Sequence, residues 1–159
     1  MLSDAPFEGI NFGDLPEAVN ELLQDGVCAY RSDRAHADRL FRLALACDPT
    51  ALPTYLCLYK IHTYQGNLAN ARAMAEAGLA EAARQAGWPT NWHDWPRLAA
   101  MPDGPGRFAL YTLKALAFIA LRNRRPDDAA EMLAALHRLD PAGAVGWPVI
   151  AALAEGVAA

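Results

Sequence analysis

The chain has 159 residues, of which 53% are hydrophobic and 20% charged, and its formal net charge is −4. That length is one domain with room for a core, and the acidic balance excludes the basic footprint of a nucleic-acid binder. No apolar run approaches the ~18 residues of a membrane span, and Cys28, Cys47 and Cys57, odd in number and without CxxC spacing, fit neither a disulfide scaffold nor a zinc cluster.

Alanine supplies much of the apolar content, β-branched residues are scarce, and no stretch alternates with period two for long. The reading is therefore all-α. Residues 1–13, with Phe7, Ile10 and Phe12 among Pro, Gly and Asn, form an N-terminal arm: a loose tail, or a strap laying its aromatics into an apolar groove. Acids stand there where a secretory leader needs basic residues, so a cytoplasmic protein is expected. Residues 14–159 read as a single domain.

Asp14, Pro16 and Glu17 predict a capped helix start, and the first helix extends to about Arg31. Ser32-Asp33 caps a second helix whose buried stripe is Ala37, Leu40, Phe41, Ala44 and Leu45, and Asp48-Pro49 stops it. A second pair runs from Leu52 through a Gly66-Asn67 turn to about Ala86. Residues 87–107 then break the pattern with prolines, glycines and the three tryptophans Trp88, Trp92 and Trp95. A loop this long is functional or disordered, and the tryptophans, which want covering, argue against disorder. His93-Asp94 is expected to cap a short helix over 95–101, or to form a small polar site. The third pair spans Phe108 to Pro141, with Pro126, Asp127 and Asp128 starting its second helix, and a short final helix at about 147–155 caps its apolar face.

Ala37 and Ala71 stand 34 residues apart, and Ala129 follows 58 later, one period plus an insertion of 24. A 34-residue period with two helices per unit predicts a solenoid of helical hairpins. Gly26, Ala37, Phe41, Ala44 and Pro49 in the first unit, Tyr55, Leu58, Gly66, Leu68, Ala71 and Leu79 in the second, and Leu116, Ala117, Ala129, Leu133 and Pro141 in the third carry the pattern. On these residues the chain resembles a tetratricopeptide (TPR) repeat protein over most of residues 18–155. The repeats fall at about 18–50, 52–86 and 108–141, with the insertion at 87–107. Two departures stand out. The first unit lacks the turn glycine and is one residue short, and Tyr59 stands where the pattern has a small residue, with Ala75 and Gly78 placed to make room for its ring.

The resemblance implies a ligand groove lined by the first helix of each hairpin. Carried over, the lining is Leu23, Val27, Tyr30 and Arg31, then Leu56, Lys60, Thr63 and Tyr64, then Lys114, Phe118, Leu121 and Arg122. Cations among rings on an acidic protein suit a protein segment with acids and apolar anchors, though long basic side chains also lie along apolar faces with no ligand at all. The insertion, with Trp88, Trp92 and Trp95, would form a wall or lid. The carboxylate clamp that grips chaperone tails is absent: its cation and amide positions hold Leu23, Val27, Cys57, Tyr111 and Ala115. The three repeats also resemble those of type III secretion chaperones, which lack such an insertion. The WPTNWHDWP insertion and the KALAFIALR helix resemble those of small TPR proteins that accompany bacterial metalloenzyme clusters, including nitrogen-fixation clusters.

The expected role is a non-enzymatic adaptor or chaperone-like module with a protein or peptide partner, no catalytic residue, no cofactor and no metal. A homo-oligomerising scaffold, with Phe7 and Phe12 in an exchanged arm, or an accessory protein of a bacterial metalloenzyme or secretion system, as the resemblances imply, is the alternative. A thiol or metal site at Cys28, Cys57 and His62 is the remaining one; buried cysteine acting as a small hydrophobe is the commoner situation.

Overall fold

The computed structural model describes residues 9–158, and every regular element among them is helical. In order they are α1 (Glu17–Tyr30), α2 (Arg34–Cys47), α3 (Leu52–Gln65), α4 (Leu68–Ala86), a 3-10 turn at Trp92–Asp94, α5 (Pro105–Arg122), α6 (Pro126–Leu139) and α7 (Trp147–Ala158). No helix among the described residues is long and apolar enough to cross a membrane. They fall into two compact units that divide between Thr54 and Tyr55, inside the first turn of α3.

In the first unit α1 and α2 form an antiparallel hairpin around Val19, Leu23, Phe41 and Ala44. Its tightness comes from one pairing. A Cβ placed on Gly26 would run into the Phe41 ring, so the small residue on α1 is what lets α2 approach. Asp33 caps α2, its carboxylate accepting from the His36 N–H at 3.0 Å. The capping box expected at Asp14 does not form. The residue at the N-cap of α1 is Pro16, with no side-chain cap bond, and only the Glu17 charge favours that helix end. The anticipated Phe7 lies outside the described residues. Ile10 is held to α1 by both polar atoms of the Gln24 amide, at 3.0 and 2.6 Å.

In the second unit the α3–α4 and α5–α6 hairpins stack through α4 and α5, and α7 packs on α5 and α6. This is the stacking of a helical-hairpin solenoid, ended by a helix that covers the last apolar face. Gly78 receives Tyr55, whose Cβ lies 2.7 Å from where a glycine Cβ would be. That corrects the expectation that Gly78 makes room for Tyr59. The Tyr59 hydroxyl instead reaches Thr112 Oγ1 on α5, at 3.3 Å.

Ala37, Ala71 and Ala129 share one register. Each is fully buried, lies three residues past its helix's first residue, and donates its N–H to the N-cap carbonyl, at 3.1, 2.9 and 3.2 Å respectively. Two hairpin turns share a geometry as well. The Asn67 N–H reaches the His62 carbonyl and the Arg125 N–H the Ala120 carbonyl, at 2.8 Å each, with left-handed Gly66 (φ 77°) and Arg124 (φ 57°) between. The first unit's turn is a residue shorter and has no left-handed residue, since both Ser32 and Asp33 N–H groups return to the Ala29 carbonyl.

The segment after α4 leaves through left-handed Gly87 (φ 73°) and packs down onto the helices. Trp95 is 2% exposed, donates its indole N–H to the Pro89 carbonyl at 2.8 Å, and meets the Trp88 ring at 5.1 Å between centroids. Arg138 on α6 donates to the Trp95 carbonyl at 3.1 Å. No helix forms over 95–101. Asn91 caps a 3-10 turn at 92–94 instead, and Trp95 leaves that turn with an extended backbone (φ −63°, ψ 141°). α5 begins at Pro105, earlier than expected, and α7 continues past 155 to Ala158. Buried Asp140 organises the α6–α7 turn, accepting from the Ala144 and Val145 N–H groups at 2.9 and 3.0 Å.

Candidate functional site

The second unit has a concave surface where α3, α5 and α7 meet. It is a trough of about 220 Å³ whose exposed lining is mostly carbon. Helical spacing explains its walls. Lys60, Thr63 and Tyr64 lie one turn apart on α3, and Tyr111, Lys114 and Phe118 repeat at the same interval on α5. Ile150 on α7 closes the third side. Thr63 turns its hydroxyl back to the Tyr59 carbonyl at 2.6 Å, so that group is satisfied within α3.

Two ammonium groups dominate its electrostatics. Lys114 is half-buried, with Nζ 4.0 Å from the centroid of the Tyr111 ring. Burial, and then repulsion from Lys60, holds the Lys114 ammonium below the usual lysine range. Lys60 is exposed, and no carboxylate among the described residues forms an ion pair with either lysine. The ring face offsets only part of what partial desolvation of Lys114 costs. Burial also pushes the Tyr59 phenol above its ordinary range, so it stays neutral beside them. Gly146, at φ 88°, lies beside the lysine: a Cβ there would stand 3.8 Å from Lys114 Nζ, an ordinary contact distance.

Of the residues carried over from the repeat pattern, Lys60, Thr63, Tyr64, Lys114 and Phe118 come together in this trough. Tyr64 is 69% exposed, an aromatic face open to solvent. Arg122, exposed at the end of α5, lies 5.8 Å over the Phe118 ring. Leu56 and Leu121 are partly buried and do not line it. In the first unit Leu23 is fully buried and serves as core, Val27 and Tyr30 are partly buried, and Arg31 is exposed. Four lining residues fell outside the carried-over row. Tyr111 and Ala115 occupy the clamp's cation positions, so the family pattern pointed at them. Tyr59 and Ile150 were hidden, the first by its departure from the pattern and the second because α7 follows only half a repeat.

Of the tryptophans, Trp92 lines a different surface. Trp92 walls a second hollow of about 210 Å³ between α4 and α6, over Leu116 and Ile119, and no insertion residue lines the trough. Its ring stacks on His93 at 3.6 Å between centroids, and His93 Nε2 faces Glu131 at 3.8 Å.

Thiol chemistry finds little support at Cys57. Burial pushes its thiol up to about 12, so it is protonated and inert at neutral pH. His62 is buried, with Nδ1 3.3 Å from the Asn67 amide, and Cys28 and Cys47 are exposed. Among the described residues no three His, Cys, Asp or Glu side chains converge as metal ligands would.

No protein-family model, curated protein or solved structure matches the chain.

Proposed function

We propose that the second unit is a peptide-binding module of TPR type, and that the α3–α5–α7 trough takes a protein segment with a carboxylate beside an apolar side chain. The observation that carries this reading is the pair Lys60 and Lys114, set among rings with no carboxylate partner among the described residues. A bound carboxylate would supply the counter-charge that Lys114 lacks, and its attraction would gain from the low-dielectric aromatic surroundings. The flanking apolar side chain would cover Tyr64, Phe118 and Ile150, where burial gives about 25 cal/mol per Å². Such a ligand is held by two or three anchors and discriminated by charge, as adaptors require. The shared register of Ala37, Ala71 and Ala129 supports the TPR assignment.

The test is selection from a random dodecamer peptide display library on the whole chain. Enrichment of Asp or Glu next to Phe, Leu or Trp is expected, and it should disappear on the Lys60→Glu/Lys114→Glu variant. Equal enrichment on both proteins would reject this surface.

A further inference from the structure

The trough sets two ammonium groups, Lys60 and Lys114, beside an apolar lining, so it suits a short length of chain that carries two acids close to an apolar side chain. This chain contains such a segment. Residues 2–8, LSDAPFE, place Asp4 and Glu8 on either side of Pro6 and Phe7. We propose that residues 2–8 of a second copy occupy the α3–α5–α7 trough, with Phe7 against Phe118 and Tyr64 and the two carboxylates toward Lys60 and Lys114. The proposal rests on the peptide-binding reading and names its occupant.

Three observations favour this segment. Its charge is complementary: two carboxylates meet two ammonium groups that have no acidic partner among the described residues. Its size fits, because a trough of about 220 Å³ takes one aromatic side chain and not a helix. Proline before the aromatic restricts the backbone to extended forms, lowering the ordering cost of binding. The donor also starts from a fixed point, as Gln24 grips the Ile10 backbone through both amide atoms. Each copy thus offers one donor and one acceptor. Two copies that exchange segments make a closed pair, and copies that pass them onward make an open chain.

Sedimentation equilibrium of the full chain from about 1 μM to about 500 μM tests this. Reversible association is expected, weakened at least about tenfold by Phe7→Ala, and likewise by Lys60→Glu with Lys114→Glu. The deciding arm is a charge exchange. A chain carrying Asp4→Lys and Glu8→Lys, mixed with one carrying Lys60→Glu and Lys114→Glu, should associate again although each alone associates weakly. Misfolded variants would not recover on mixing. A wild-type chain that sediments as a monomer throughout, association untouched by either set of reversals, or no recovery on mixing overturns the proposal. If peptide selection still returns acidic–apolar sequences from a monomeric protein, the trough reading stands and only this occupant falls; if selection also fails, both fall.

Discussion

Arg124 does a glycine's work with an L side chain. It sits at φ 57° in the α5–α6 turn, the place that Gly66 holds between α3 and α4. The left-handed region costs a side-chain-bearing residue about 1–2 kcal/mol, because Cβ crowds the following carbonyl. Arg124 is exposed and has no ion pair among the described residues to offset this. Arg124→Gly should therefore stabilise the protein by about 0.5–1 kcal/mol, after allowing for the extra freedom of glycine in the unfolded chain. Thermal unfolding followed by circular dichroism should register a rise of about 2–3 °C. An unchanged or lower Tm would mean that the guanidinium makes a compensating contact in solution. Gly66 was legible in the sequence as a turn because glycine advertises the geometry. Arg124 adopts the same geometry, but its side chain gives no such signal.

At the scale of elements, the 87–104 segment is anchored to the core through Trp95. Trp95 is buried against Trp88 and tied by its own N–H and by Arg138 from α6. Trp95→Ala should cost about 3–5 kcal/mol, a loss of the size expected for an interior aromatic, whereas a free lid would lose almost nothing. Urea unfolding with the midpoint and slope fitted separately distinguishes the two. Helix limits were readable wherever a local chemical signal set them: Asp33 before α2, Gly66 after α3, Pro126 opening α6. They were misread where tertiary packing decided. Asp14 looked like a cap, yet α1 starts after Pro16 without one. Residues 95–101 looked helical, yet the burial of Trp95 claims the backbone there for an extended path. In the same way the TPR resemblance put Lys60, Tyr64, Lys114 and Phe118 on one surface, while it could not place Ile150, since that position depends on how α7 folds back.

Over the whole molecule, the proposed binding role of Lys114 and its effect on stability pull in opposite directions. Burial and the nearby Lys60 lower its pKa below the ordinary lysine value of 10.5, so the folded state carries a charge it does not favour. The sign follows from linkage. Where the folded pKa is the lower one, the unfolded chain binds more protons between the two values, and stability rises with pH through that window. Lys114→Met should thus stabilise the protein at neutral pH, by less than about 1 kcal/mol because the side chain keeps part of its water. The advantage should shrink as pH climbs toward 10.5. Denaturant melts of both proteins at pH 7 and at a pH near 10 check the trend. The same variant should lose affinity for acidic peptides, and a Lys114→Met protein that is both less stable and equally competent would contradict the electrostatic account of the trough.

The excursion between α4 and α5 shares no wall with the trough, and its outer residues Ala99 and Ala100 are exposed. That separation leaves an engineering handle. A fluorophore or affinity tag grafted at Ala99–Ala100 would ride on a firmly moored platform and report on a visitor to the lysine-lined side without standing in its way.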